Sequence, residues 1–197
     1  MNTLKSSIMS GIAIGTAGIG FLATRDIVGS VLFAFALITV VSYKLKLYTG
    51  TAGFIKRNEV PYLLFVLAGN LVGCFIMAML TRCSPLELQA SAQNLLEGRL
   101  AVGPLRGGLL AIGCGFIMTT AVTFARKGNN LPLLFGVPLF ITCGFPHCAA
   151  DAFFYMTAPL SFWSAHLGEI LIFYVSIVIG NFVGCNAYRW VMGSNPE

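Results

Sequence analysis

One hexapeptide, Gly69-Asn70-Leu71-Val72-Gly73-Cys74, returns almost unchanged as Gly180-Asn181-Phe182-Val183-Gly184-Cys185 in this chain of 197 residues. Each copy lies inside a long apolar run, so the repeat predicts that the chain consists of two related halves. Glycines four residues apart are typical of helices that pack closely in a membrane, and asparagines beside them bond across helices. We expect this helix-packing role for Gly69, Asn70, Gly73, Gly180, Asn181 and Gly184.

The composition is that of a membrane protein. Hydrophobic residues make up 57% of the chain and charged residues only 10%, whereas soluble domains contain about 25% charged residues. The cysteines lie mostly in or beside apolar runs, where cysteine behaves as a small hydrophobe, so we expect no structural disulfide. The net charge of +5 comes from basic residues scattered at segment ends. That pattern argues against nucleic acid as a partner.

Six apolar segments predict an all-α membrane protein, since a span needs about 20 apolar residues. They are Ile8–Leu22, Ile27–Tyr43, Pro61–Leu80, Leu105–Ala125, Leu131–Phe145 and Leu167–Met192. The second and fifth continue, after a break, into Thr51–Ile55 and Ala150–Met156. We therefore expect one transmembrane domain over 1–197, with a first repeat at 1–80, a polar linker loop at 81–103 and a second repeat at 104–192. Three spans in each half require the second repeat to be inverted.

The placement of lysine and arginine predicts the orientation, because cytoplasmic loops carry an excess of both. With a cytoplasmic N-terminus, eight basic residues lie inside: Lys5, Lys44, Lys46, Lys56, Arg57, Arg126, Lys127 and Arg189. Four lie outside: Arg25, Arg82, Arg99 and Arg106. We expect both termini on the cytoplasmic side of the cell (inner) membrane.

Small, polar and proline residues break the second and fifth segments, at Leu47-Tyr48-Thr49-Gly50 and at Gly144-Phe145-Pro146-His147. Paired breaks in the two halves of a membrane protein indicate a transport path. Non-helical backbone survives at membrane depth only where protein or a water-filled cavity shields it. A short helix that starts at such a break aims its N-terminal amides at the path and favours anions. Thr49 could add a hydroxyl donor there, so the sequence predicts a channel or transporter.

His147 is the candidate central residue, because ionisable groups inside a span are functional by default. The alternative is a neutral histidine that is hydrogen-bonded to a carbonyl purely for packing. Asp151 either orients His147 from one helical turn away or faces water at the end of the segment. The sequence leaves both choices open.

Four motifs together resemble the formate/nitrite transporter family over roughly Ser10 to Trp190. They are Leu47-Tyr48-Thr49-Gly50, Gly69-Asn70-Leu71-Val72-Gly73, Cys114-Gly115-Phe116-Ile117-Met118 and Gly144-Phe145-Pro146-His147-Cys148-Ala149-Ala150-Asp151. The resemblance implies six spans in two inverted three-helix repeats, an aquaporin-like protomer outline, a homopentamer in the lipid bilayer and conduction of small monovalent anions. It also implies a protein that is not an enzyme and needs no cofactor.

The resemblance further implies where the pore narrows. The cytoplasmic constriction corresponds to Leu37, Leu47 and Tyr48. The periplasmic constriction corresponds to Phe33 and Phe140, and the centre of the pore to Thr49 and His147. The chain departs from the family at Lys46, at Gly115 and at Asp151, which replaces a usual asparagine, and we expect these three to support the centre. Pro146 replaces a usual glutamate.

The hypothesis that follows is conduction of the conjugate base of a weak acid, such as formate, nitrite or hydrosulfide, with a proton supplied at the centre. His147 suits this role because its unperturbed pKa of about 6.5 lies near working pH. The alternative is a histidine that donates a fixed hydrogen bond and never releases its proton.

Two rival functions remain. A water or glycerol channel shares the expected architecture, but Asn-Pro-Ala pairs are missing from the sequence, and Asn70 and Asn181 lie in the third and sixth segments rather than at the breaks. A membrane metalloenzyme would use Cys143, His147, Cys148 and Asp151, yet Pro146 disturbs their spacing and no second ligand cluster completes the set. We therefore expect no metal.

Overall fold

The computed structural model describes residues 2–194, apart from the side chain of Arg57. The predicted cytoplasmic position of that side chain therefore lies outside the described part. Within this range the regular structure is helical, as the sequence predicts, with ten α-helices: α1 (Thr3–Thr24), α2 (Ile27–Ser42), α3 (Tyr48–Ala52), α4 (Val60–Thr81), α5 (Leu88–Val102), α6 (Pro104–Arg126), α7 (Leu131–Thr142), α8 (Cys148–Thr157), α9 (Leu160–Cys185) and α10 (Ala187–Met192).

Four of these helices, α1, α4, α6 and α9, are long and apolar enough to cross a membrane. The helices α2 and α7 are also apolar but shorter. Each is followed by a non-helical stretch, residues 43–47 and 143–147, and then by a short helix, α3 or α8. The predicted count of six spans stays a prediction.

The helices α2 and α7 end in the same kind of turn. Lys44 and Gly144 both adopt left-handed backbone geometry, with φ of 52° and 69°. The next N–H along the chain donates to the carbonyl of Val40 in the first case (2.8 Å) and of Phe140 in the second (2.9 Å). This helix-terminating arrangement usually takes glycine, and a lysine there costs about 1–2 kcal/mol of backbone strain. The chain thus turns out of both helices by the same hydrogen bond.

The side chain of Asn70 provides hydrogen-bond partners for backbone groups at the first break, residues 43–47. Its Oδ1 accepts the backbone N–H of Tyr48 (2.9 Å), and its Nδ2 donates to the carbonyls of Lys46 and Ser7 (2.9 Å each). The break and α1 are therefore tied to one fully buried amide on α4.

Asn181 makes the corresponding contacts in the second half. Its Oδ1 accepts the backbone N–H of Cys148 (2.8 Å), and its Nδ2 donates to the carbonyls of Pro146 (3.0 Å) and Ala111 (2.9 Å). The expectation that the two asparagines lie away from the breaks was wrong. Their positions on α4 and α9 are distant in sequence, but their side chains reach into the breaks.

Close packing of helix backbones makes this reach possible. A Cβ at Gly73 would overlap the carbonyl oxygen of Ile8 on α1, and a Cβ at Gly184 would overlap that of Ile112 on α6. Only glycine allows the two backbones to approach this closely.

Several predicted boundaries were wrong. Most of the predicted linker loop forms α5, because Leu88, Ala92 and Leu96 recur every four residues and are buried on one face. The final apolar segment begins earlier than predicted, at Leu160, and ends earlier, where Asn186 follows α9.

The short helices also begin earlier than predicted, at Tyr48 and Cys148 rather than Thr51 and Ala150. The reason is that Leu47 and His147 have extended backbones and take the N-cap positions. Each first amide then reaches the asparagine of its own half.

We predict that Asn181→Leu strongly destabilises the protein, because it leaves the Cys148 N–H and the Pro146 carbonyl buried without partners. Each such group costs about 1–3 kcal/mol. Thermal unfolding of the purified protein in detergent measures the loss. The exposed Asn94 provides a control, since Asn94→Leu should shift the transition little. A transition unchanged in Asn181→Leu would contradict the assignment.

Candidate functional site

Two cavities approach each other along α2. The first, cavity A, has a volume of about 440 Å³ and is lined by Phe33, Phe140 and His147 among others. The second, cavity B, measures about 500 Å³, and its lining includes Leu37 and Leu47. Phe33 and Leu37 are one helical turn apart, which corresponds to a rise of about 6 Å, and both side chains are buried. The cavities are thus separated by a thin layer of buried side chains.

The centre of this layer is a hydrogen bond between the two halves of the chain. Thr49 Oγ1 lies 2.9 Å from His147 Nε2, and the two residues are 0% and 1% exposed. The His147 ring stacks on Phe140, with 5.7 Å between the ring centres. Two polar side chains that the sequence places 98 positions apart therefore meet in the interior.

The position of His147 defines its tautomer. Its Nδ1 accepts the backbone N–H of Ala150 (3.2 Å) and so caps the N-terminus of α8. A ring nitrogen that accepts an N–H bears no proton, so the proton of the neutral ring lies on Nε2. Nε2 therefore donates to Thr49 Oγ1.

The hydroxyl proton of Thr49 is left for another acceptor. Oγ1 accepts from His147, and in residues 2–194 the hydroxyl makes no second hydrogen bond. The Thr49 backbone carbonyl accepts a hydrogen bond from the thiol of Cys185 (3.4 Å). Thr49 itself lines neither cavity, so this hydroxyl is enclosed in the layer between them.

Asp151 orients the His147 segment through its backbone. Its Oδ2 accepts the His147 N–H (2.9 Å), and its Oδ1 lies 3.1 Å from Nε of Arg99 on α5. Nη1 of the same arginine donates to the carbonyl of Gly144. The carboxylate is 1% exposed, so it does not face water at the end of the segment.

Both cavities carry more positive than negative side chains among the described residues. Cavity B is lined by Lys44, Lys46 and Arg126 against Glu59. Cavity A is lined by Arg25 and Arg99 against Asp151. Charge of one sign in a cleft with low-dielectric walls concentrates ions of the opposite sign. The two approaches to the centre therefore favour anions.

Two of the predicted site residues lie elsewhere. Tyr48 lines neither cavity, because its hydroxyl turns towards α9 and donates to the carbonyl of Val178 (3.2 Å). Gly115 lies where α6 crosses α9, and a Cβ there would overlap the carbonyl oxygen of Asn181. The predicted roles of Tyr48 in a constriction and of Gly115 in supporting the histidine stay predictions.

The metal site considered as an alternative does not assemble. Within residues 2–194 no three histidine, cysteine, aspartate or glutamate side chains lie together as metal ligands would. None of the six cysteines forms a disulfide.

Comparison with known proteins identifies the family. A family model described as formate/nitrite transporter matches residues 1–192. The chain belongs to the formate/nitrite transporter family. This is a family of transporters rather than enzymes, and the apolar helices are those of an integral membrane protein.

Solved structures agree with the fold of this formate/nitrite transporter family member. One is described as a pentameric formate channel with formate bound; it has 23% sequence identity and a TM-score of 0.80, with 97% of this chain and 94% of that one covered. Another is described as an FNT family ion channel, with 21% identity, a TM-score of 0.72, and coverage of 94% and 86%. No curated protein sequence gives a significant match.

Sequence reasoning missed two arginines that hold the breaks. By sequence, Arg99 lies in the predicted linker loop, and Arg126 is only one of the basic residues that indicate orientation. In the structure Arg126 donates to the Gly50 carbonyl (2.8 Å), and its guanidinium lies 4.0 Å from the centre of the Phe54 ring. Such long-range contacts leave no local signal in the sequence.

We predict that the His147 ring in this family member is neutral, with its proton on Nε2. The chain has only two histidines, so ¹⁵N-histidine labelling with a His166→Gln variant isolates the His147 signals. The expected spectrum shows a protonated Nε2 and an unprotonated Nδ1. A resting proton on Nδ1 would contradict the cap at Ala150.

Proposed function

We propose that this protein is a channel for small monovalent weak-acid anions, such as formate, nitrite or hydrosulfide, and that the Thr49–His147 pair assists their protonation. The main support for this proposal is that Thr49 and His147 form a buried pair of neutral hydrogen-bond donors between two positively charged cavities. Membership of the formate/nitrite transporter family supports the substrate class.

We further propose six spans in two inverted repeats, in which α2 with α3 and α7 with α8 form the broken helices. The paired contacts of Asn70 and Asn181 support this arrangement. The resemblance to a pentameric formate channel supports a homopentamer. In such a pentamer the exposed faces of each protomer would meet lipid or a neighbouring copy, since many large apolar side chains on α4 and α9 are exposed.

We place the cavity B end on the cytoplasmic side of the cell membrane. Both described ends of the chain lie near it, since Ser6 Oγ accepts the Lys46 N–H (3.0 Å) and Asn186 Nδ2 donates to the Ala52 carbonyl (3.2 Å). Lys44, Lys46 and Arg126 line the same cavity, in agreement with the excess of basic residues on the inner side.

Desolvation is the physical reason for protonation at the centre. An isolated anion in an apolar constriction loses its hydration, which costs far more than moving a neutral molecule. The proposed passage is surrounded by apolar side chains, those of Phe33, Phe140, Leu37 and Leu47. A protonated, neutral acid passes such a layer much more easily than its conjugate base.

His147 can assist in two ways. As a relay, Nε2 passes a proton through Thr49 to the anion while Nδ1 takes one from a hydronium ion in cavity A, and the ring then returns to its Nε2–H form. As a fixed donor, it keeps its proton and orients Thr49, and the anion takes its proton from a hydronium ion that arrives from solvent. The Ala150 N–H on Nδ1 favours the fixed donor, because the relay must first displace this cap.

Uptake of formate, nitrite and hydrosulfide into proteoliposomes tests the proposal, at about pH 5.5 and about pH 7.5, on either side of the usual pKa of histidine. We expect uptake of at least one of them, faster at the lower pH, and lost in His147→Ala. Correctly folded wild-type protein that transports none of the three would overturn the proposal. Water permeability is then the quantity to measure, since a neutral-solute channel is the rival.

His147→Gln separates the two roles of the histidine, because glutamine donates a hydrogen bond but cannot relay a proton. For a fixed donor we expect uptake to stay within about tenfold of wild type, the range of one lost hydrogen bond to an uncharged group. Uptake as low as that of His147→Ala would instead establish the relay.

Thr49 allows a matched pair of substitutions. Thr49→Ser keeps the hydroxyl and should retain most of the uptake. Thr49→Val keeps the shape of the side chain but leaves His147 Nε2 buried without a partner, at a cost of about 1–3 kcal/mol, so we expect uptake to fall at least about tenfold. Equal uptake by the two variants would remove the hydroxyl from the mechanism.

A further inference from the structure

An ion pair between Asp151, a predicted site residue, and Arg99, which the prediction did not include, borders the central pair. Arg99 extends from α5, the helix between the two halves, to Asp151 on α8. The remaining oxygen of the same carboxylate holds the N–H of His147. The carboxylate is therefore one residue removed from the hydrogen bond at the centre of the passage.

The charge of this carboxylate would oppose the passage of an anion. Asp151 is buried and lines cavity A together with His147, and charges interact strongly where water is excluded. A negative charge fixed there repels a second negative charge that approaches the histidine. Arg99 compensates the negative charge of Asp151 at contact distance, with 3.1 Å between Nε and Oδ1.

Arg99 also holds the backbone ahead of the histidine. Its Nη1 donates to the carbonyl of Gly144, the left-handed residue at which the chain leaves α7. One guanidinium thus contacts the segment on both sides of Pro146 and His147. Its planar, always charged group suits such a double contact better than an ammonium group.

We propose that Arg99 is a positioning and selectivity residue for anion passage: by neutralising Asp151 and holding the Gly144 carbonyl, it keeps the His147 site open to anions. This inference rests on the proposed anion channel. It assigns to α5 a direct part in selectivity, and it requires that Arg99 and Asp151 act as a pair whose net charge is zero.

A double-mutant cycle on formate uptake into proteoliposomes tests the pair, using whichever of the three anions the wild type transports best if formate is not transported. Arg99→Gln leaves the carboxylate buried and uncompensated, which is strongly unfavourable, so we expect uptake to fall at least about tenfold. Asp151→Asn keeps an oxygen that accepts the His147 N–H. The double variant Arg99→Gln/Asp151→Asn should regain the uptake of Asp151→Asn alone, because no net charge remains.

Two further variants distinguish charge from general damage. Arg99→Lys keeps the charge and should recover part of the uptake lost in Arg99→Gln. Arg82 is the matched control, since it also bonds a carbonyl at the end of α8, that of Ala158 (3.2 Å), but lines neither cavity A nor cavity B. Arg82→Gln should stay within about threefold of wild type, as expected for an exposed contact.

Thermal unfolding and gel filtration of each variant accompany the cycle. If Arg99→Gln fails to fold but the double variant folds and transports, the compensation is supported. A double variant that fails to fold, or that transports as poorly as Arg99→Gln, makes the pair a structural contact only and overturns the inference. Normal uptake by Arg99→Gln overturns it as well. In each of these cases wild-type uptake leaves the anion channel standing, whereas absent wild-type uptake overturns the channel itself.

Discussion

The need to satisfy backbone hydrogen-bonding groups at the two breaks controls the rest of this structure. Inside a membrane no water is at hand for an exposed N–H or carbonyl, so each group must find a partner in the protein. Asn70 and Asn181 provide three hydrogen bonds each, and both are fully buried. The glycines beside them let the helix backbones approach closely enough for these side chains to reach the breaks.

With the breaks held, the functional groups of the two halves come into contact. Thr49 follows one break and His147 ends the other, and they meet across the interior. Thiols strengthen the same junction, since Cys74 donates to the Ala149 carbonyl (3.3 Å) and Cys185 to that of Thr49 (3.4 Å). Each half therefore supports the short helix of the other.

The electrostatics of the passage follow from this geometry. The cavities carry excess positive charge, and the layer between them holds neutral hydrogen-bond donors and apolar side chains. One buried carboxylate adjoins this layer, and an arginine neutralises it. Under the proposed function, this arrangement would draw anions in and would favour the crossing of a species that sheds its charge or finds strong donors.

The sequence by itself determined the all-helical membrane character, two interrupted apolar segments and the candidate histidine, because hydropathy, the repeated hexapeptide and an ionisable group in an apolar run are local patterns. The helix α5 was missed because its polar composition outweighed a weak four-residue period of apolar positions. Only the tertiary structure decided that the asparagines reach the breaks, that Tyr48 turns away from the cavities and that Arg99 pairs with Asp151. These contacts join residues 22 to 130 positions apart, and local composition carries no information about which distant groups the packing of helices brings together.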